Sequence, residues 1–207
     1  MLTVTGKHVR LEPLDASHAA SLAAAASGDR SSFGWTTVPD GLAEAETFVA
    51  AAVAAATAGA EVPFAVRSLS SGEIVGSTRF LGVQRWTWPS ADGHPDAVEI
   101  GATWYSAATQ GTVINPEAKL LLLMHAFDVW HAQRVQLKTD ARNARSRAGI
   151  AKLGAHFEGV LRNFQPGLGQ FGEGTGTRDT AMYSITPVDW PEVRDRLRAR
   201  VAAFVAT

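Results

Sequence analysis

Residues 118–130, AKLLLLMHAFDVW, put apolar side chains on every side of a helix. Such a helix cannot lie on a surface, so the segment must be buried in the middle of the fold with other elements around it. The stretch QGTVINPE leads into it, with Asn115 placed to be an N-cap and Pro116 the first helical residue. Before that, VEIGATWY at 98–105 reads as a strand. A strand followed by a loop and a capped helix start makes an anion site, because the first backbone N–H groups and the positive end of the helix dipole point outward. Gly111 and the small side chains of Ser106, Ala107, Ala108 and Thr109 let a ligand approach closely. The plainer alternative is an ordinary loop capped by Asn115.

The flanking segments set the fold class. Residues 8–14 read as a strand, and Asp15 is placed to cap the helix that follows. Residues 42–58 are an Ala-rich helix with Gly59 as its stop. Residues 62–67 and 74–83 flank Ser70-Ser71-Gly72 and read as an antiparallel hairpin. Beyond the apolar helix come a strand at 134–139, a helix at 143–153 stopped by Gly154, strands at 156–164 and 177–185, and a charged helix at 189–205. This order predicts an α+β fold, a mixed central sheet flanked by helices. No repeat, linker or charge block divides the chain, so residues 1–207 read as one domain. Loops at 27–41, 86–96 and 165–176 are expected to shape a pocket. Phe33 and Trp35, in the first of them, are either core anchors or pocket walls.

Composition narrows the chemistry. At 207 residues with 46% hydrophobic and 19% charged side chains, the chain can build a real core. The absence of cysteine excludes disulfide scaffolds, thiolate metal sites and thiol nucleophiles. A net charge of −1 argues against a general nucleic-acid binder. No apolar run approaches the ~20 residues that span a bilayer, and the amino terminus resembles no signal or transit peptide, so a cytoplasmic protein is expected. The six histidines show no i,i+4 pairing, which argues against a metal site. The run from Gly167 to Gly172 matches G-x-G-x-x-G but precedes a strand rather than a helix, and is set aside as a dinucleotide site. One local feature stands against the neutral total: residues 134–152 hold six basic side chains and one acid. That surplus suits a phosphate-bearing ligand, or else is a solvated basic face.

In these stretches the chain resembles the Gcn5-related N-acetyltransferase (GNAT) superfamily, and more specifically its ribosomal-protein branch, RimJ/RimL-like. The resemblance rests on HVRLEPL, EIGATWY, NPEAKLLLLMHAFD, AKLGAHFEGVLR and RDTAMYSITPVDW, with TDARNARSRAGIAKLGA the most specific piece. It implies a central sheet splayed between strands 98–105 and 134–139, with acetyl-CoA in the splay and no metal. Trp104, Tyr105 and Lys119 would line the cofactor site. The pyrophosphate would rest on backbone N–H groups of Gln110, Gly111, Thr112, Val113, Ile114 and Asn115. Asn143 would bind the pantetheine arm, Ser146 would lie near the thiol, and Arg145, Arg147 or Lys152 would meet the phosphates. The loop departs from the superfamily's Gln/Arg-x-x-Gly-x-Gly/Ala pattern, having glycine only at 111.

Acetyl transfer to an amine needs a neutral nucleophile, a donor for the oxyanion and a proton for the leaving thiolate. Glu99 is the candidate base; alternatively it is a strand-edge acid paired with Arg79. The amides of residues 102–105 would hold the thioester carbonyl, and Ser146 or Tyr183 would protonate the thiolate. The implied activity is direct acetyl transfer to an amine in a ternary complex, the acceptor being a protein N-terminus. Alternatives are a small-molecule amine or antibiotic acetyltransferase and a degenerate acyl-CoA-binding module. An RNA-associated protein using residues 134–152 is disfavoured by the net charge, no membrane partner is expected, and a homodimer is left open.

Overall fold

In the computed structural model, which describes residues 2–87, 93–169 and 176–204, eight strands form one sheet. The strands are β1 (Val4–Thr5), β2 (Val9–Pro13), β3 (Val62–Ser68), β4 (Ile74–Gln84), β5 (Ala97–Tyr105), β6 (Arg134–Asp140), β7 (His156–Pro166) and β8 (Thr177–Ile185). Their order is β1-β2-β3-β4-β5-β6-β8-β7, and every neighbouring pair is antiparallel except β5 and β6. The parallel pair needs a crossover, and α3 (Ile114–Met124) supplies it. The expected mixed sheet is present, with one strand, β1, that the sequence did not announce. The middle of the 86–96 connector, much of the 165–176 loop including Gly172, and the last residue expected in the terminal helix lie outside the described residues.

The helices divide between the two faces. α1 (Ala19–Ala26) and α2 (Gly41–Thr57) pack with Ala65, Ile74 and Trp104 on one side. α3, α4 (Ala144–Leu153) and α5 (Trp190–Ala203) pack with Phe64, Val66, Val98 and Leu137 on the other. Strand alternation sends Phe64 and Val66 to one core and the intervening Ala65 to the other. In α2 the buried stripe is Ala45, Val49 and Ala52, one helical face, while alanines elsewhere meet solvent. In α3 every residue from Pro116 to Leu123 is buried, as an all-round apolar helix requires. It continues into a π-helical turn at His125–Val129. There Phe127 stacks on Trp190 at 5.3 Å, and Asp128 Oδ1 accepts the Trp190 indole N–H at 2.7 Å, which pins α5 to the layer.

A polar tie joins α3 to the first strands. The buried Glu117 carboxylate accepts the backbone N–H groups of Lys7 at 3.0 Å and His8 at 2.6 Å. Gly6 lies against the same carboxylate, where a Cβ would stand 2.7 Å from Glu117 Cδ.

One local expectation is corrected. α3 starts at Ile114, so Asn115 is its second residue and not its N-cap. Thr112 takes the capping part: its Oγ1 accepts from Ile114 N at 3.3 Å and donates to Thr109 O at 2.7 Å. Pro116 is then the third helical residue, where a missing N–H still breaks no intrahelical bond. At the other helices Asp15 accepts from Ser17 N, Asn143 accepts from Ser146 N, and Gly154 closes α4 at φ +94°.

β4 and β5 approach unusually closely. A Cβ at Gly76 would lie 2.1 Å from the Trp104 carbonyl oxygen. Gly76→Ala must therefore push the strands apart next to the site described below. The expected loss is about 1–3 kcal/mol, read as a lower urea midpoint; an unchanged midpoint would contradict the close approach.

Candidate active site

The site begins with a defect in the sheet. Along β4, Ser77 faces Trp104 and Arg79 faces Gly101, so β5 holds one residue more than β4 between those pairs. The surplus is taken up at Ala102, which has a left-handed φ of +45°. Such a bulge bends the strand and increases its twist. On its other side β5 pairs with β6 only through Ala97–Arg134, Val98–Val135 and Glu99–Gln136. Beyond Glu99 the strands part, leaving one edge of residues 101–105 without a strand partner. A cleft of about 1220 Å³ opens there, lined by residues 99–105, Leu137, Lys138, Thr139 and the starts of α3 and α4.

The loop before α3 borders this cleft at Gln110, Gly111 and Asn115. Gln110 N and Ile114 N are engaged, by Ala107 O and Thr112 Oγ1. The N–H groups of Gly111, Thr112, Val113 and Asn115 have no intramolecular acceptor among the described residues. Unengaged N–H groups at a helix start are the kind of donor an anion takes. The Gln110 side chain braces the loop: its Nε2 donates to Ser32 Oγ at 2.8 Å and Tyr105 O at 3.0 Å. Its Oε1 accepts from Arg145 Nη2 at 2.7 Å, which joins the two helix starts across the cleft.

The expected site residues distribute as follows. Glu99, Trp104, Tyr105, Gln110, Gly111, Asn115, Lys119, Asn143, Arg145 and Ser146 line the cleft. Thr112, Val113, Ile114, Arg147, Lys152 and Tyr183 are not among its lining residues. Thr112 and Ile114 are turned into the capping bond described above. Arg147 donates to Ala141 O at 3.2 Å and to the Tyr183 hydroxyl at 3.3 Å, and lies over the Phe157 ring. Tyr183 is buried against Phe157 in the α3–α5 core. Lys152 stands in the last turn of α4.

Glu99 is 5% exposed at the point where the strands part. Its Oε2 lies 2.9 Å from Lys138 Nζ and 3.4 Å from Gln136 Nε2. The alternative pairing with Arg79 is not the one found: Arg79 binds Glu61 at 2.8 Å and lies over the Phe48 ring. Lys119, buried on α3, donates to Thr103 Oγ1 at 2.7 Å. Burial draws its pKa down to about 7, against the opposing pull of Glu99. Burial also pushes the Tyr105 phenol up, so this hydroxyl stays protonated.

Four buried polar atoms without partners belong to residues lining this one cleft: Arg79 Nε, Trp104 Nε1, Tyr105 Oη and Arg178 Nε. Unsatisfied groups are rare in folded proteins, and their concentration here marks a place built for a ligand. Sequence reasoning missed Arg79, Lys138, Arg142 and Arg178 as parts of this wall. Strand parity was the available signal, since Lys138 and Asp140 alternate on β6.

Phe33 and Trp35 take different parts. Phe33 is buried edge-on against Trp104, with ring centroids 6.0 Å apart. Trp35 lines the cleft with the Arg142 guanidinium 5.0 Å from its ring centre. Gly169 sits where a Cβ would be 2.7 Å from Thr36 N, so the chain after β7 packs on the first loop. No group of three metal-binding side chains occurs among the described residues. No described helix is long and apolar enough to cross a membrane.

This fold is matched by known proteins. The model of the acetyltransferase (GNAT) domain matches residues 8–156. A putative acetyltransferase from T. thermophilus is 32% identical, with 97% of each chain covered and a TM-score of 0.73. A GCN5-related N-acetyltransferase from Brucella melitensis is 27% identical over 97% of this chain and 85% of its own, with a TM-score of 0.82. Mycobacterium smegmatis RimJ, solved with CoA-disulfide, shares the fold at 23% identity and a TM-score of 0.76, covering 96% of this chain and 94% of its own. No curated protein matches the sequence significantly. The chain belongs to the GNAT acetyltransferase family.

Proposed function

We propose that this protein acts as one domain that transfers the acetyl group of acetyl-CoA directly to an amine, the amino terminus of a protein or peptide being the favoured acceptor. The observation that carries the reading is the meeting, at one break in the sheet, of a buried carboxylate, an unpaired strand edge and a helix start with four free N–H groups. The residues fit acetyl-CoA. Gly111, Thr112, Val113 and Asn115 offer backbone N–H groups to a diphosphate, and Arg145 adds charge beside them. The open edge of β5 can hold an extended, amide-bearing arm as a neighbouring strand would. Acetyl-CoA supplies the activated thioester. Glu99 takes the proton from the attacking amine, directly or through water. The N–H groups of residues 102–105 stabilise charge on the carbonyl oxygen. Ser146, at the start of α4, and Tyr105, with its partnerless hydroxyl, are placed to give a proton to the thiolate; Tyr183 is engaged with Arg147 on the other side of β6 and β8. The sequence holds no cysteine to serve as a thiol nucleophile, which supports direct attack.

RimJ and the ribosomal-protein acetyltransferases among the solved neighbours favour a protein acceptor. The MccE neighbour, a microcin self-immunity acetyltransferase, favours a small-molecule one. Thiol release from acetyl-CoA, measured over a panel of peptides and small amines, decides between these and a binding module without turnover. CoA at 100 times its Kd should stabilise the protein by about 2.7 kcal/mol, about 5–10 °C in midpoint for a chain of this size. Dephospho-CoA should do less. No shift with either ligand would overturn the reading.

A further inference from the structure

The cleft contains a buried cation with no hydrogen bond or ion pair among the described residues. In the β6–β8 register Gln136 faces Ser184, Lys138 faces Met182 and Asp140 faces Thr180. Residues two apart share a face, so Gln136, Lys138, Asp140, Thr180 and Arg178 lie on one side of the sheet. Glu99, opposite Gln136, is on the same side. The charges on this face pair off in order. Lys138 takes Glu99, and Arg142 grips both Asp140 oxygens at 2.9 and 2.8 Å. Asp179, which alternates to the other face, accepts the Asn163 N–H.

Arg178 is left over. It is 6% exposed, lines the cleft, and has no hydrogen bond or ion pair among the described residues; its Nε is buried and unsatisfied. Asp140 and Glu99 act on it only through space, and burial lowers its pKa against their fields. An unpaired buried guanidinium is costly to maintain. Its planar fork matches a carboxylate. Trp35, Gln165 and Leu168 line the cleft with it, and the acids that act on it, Asp140 and Glu99, hold Arg142 and Lys138 instead.

We propose that Arg178 anchors a carboxylate of the acceptor, so that the preferred amine carries a carboxylate a few bonds from the nitrogen. This rests on the reading of the cleft as an acetyl-transfer site. Glu99 and Arg178 then divide the acceptor between them: the carboxylate end is held at Arg178 and the amine is delivered to Glu99. Neither Lys138 nor Arg142 competes for the anion, since each already holds an acid.

Matched acceptors test this. Tripeptides led by Asp are compared with the same peptides led by Asn, and 4-aminobutyrate with its amide. Initial rates of thiol release are measured, and calorimetric binding to the CoA-loaded protein is followed in parallel. The wild type should favour the acid of a pair by about tenfold or more in kcat/KM. The peptide and small-molecule arms show which source of carboxylate is taken. R178Q should erase that preference through KM, the loss on the acids exceeding any loss on the amides by the same factor. R178K, which keeps the charge and loses the fork, should keep part of it. Equal use of acid and amide by the wild type, or equal losses on both in R178Q, would overturn the proposal. If no amine releases thiol while the wild type, but not R178Q, still binds the acids in preference, the subsite stands and the acetyl-transfer reading falls.

Discussion

Glu99→Gln is expected to lower kcat by about 100-fold or more while leaving the affinity for acetyl-CoA unchanged. The substitution keeps the shape of the side chain and one oxygen to meet Lys138 Nζ, 2.9 Å away, and Gln136 Nε2. What it removes is the capacity to take a proton at the point where β5 and β6 part. The loss should persist across pH, because no titration restores a base to the amide. A purely structural Glu99 predicts a different pattern: its function would be to neutralise Lys138, so Lys138→Gln would relieve the imbalance and rescue the Glu99→Gln variant. Rescue in that double variant, or wild-type turnover in the single one, would remove Glu99 as the base. Persistent loss with an intact CoA-induced rise in melting temperature would support it.

The largest expected effect on stability is at Glu117. Its carboxylate holds two backbone N–H groups at 2.6 and 3.0 Å and is 4% exposed. Hydrogen bonds to a charged acceptor contribute about 1.5–3 kcal/mol each. Glu117→Ala removes both, leaves Lys7 and His8 N–H groups without their acceptor, and opens the space that Gly6 vacates for the side chain. The expected loss is about 3 kcal/mol or more, or about 6–12 °C in melting temperature. Glu117→Gln retains one acceptor oxygen and should fall between. Equal stability of the alanine variant and the wild type would mean that the first strands are held to α3 by apolar contacts alone.

Legibility followed the range of the interaction. The hairpin across Ser70-Ser71-Gly72, the cap at Asp15 and the stop at Gly154 depend on residues a few positions apart, and all were readable from the chain. The all-round apolar character of α3 forced its burial in the same way. The start of α3 was misread by two residues because Asn115 is an acceptable cap by type, whereas the helix begins at Ile114, whose N–H is taken by Thr112 Oγ1. The bulge at Ala102 has no local mark: alanine is an ordinary strand residue, and the extra position shows only against the register of β4. Partner choice was least legible. Nothing near Glu99 in sequence points to Lys138 rather than Arg79, and Arg178 acquires meaning only after β8 is laid beside β6. Glu117, a lone acid in an apolar helix, was the conspicuous signal left unused.

The three rungs between β5 and β6 have a consequence for how the site can change over time. A wall made of backbone is indifferent to which side chains decorate it. On the proposed reading, recognition along residues 101–105 is therefore written in the position of one surplus residue, while Gly101, where a Cβ would stand 2.7 Å from Glu99 Oε1, and the buried Trp104 and Tyr105 are held to their identities by packing. The side chains that reach across from β6 and β8 carry the opposite burden: each meets the acceptor by its own chemistry, so a single exchange redirects what is accepted. One lip of the opening would thus hold its ligand by the shape of its backbone, and the other would alter its clientele one residue at a time.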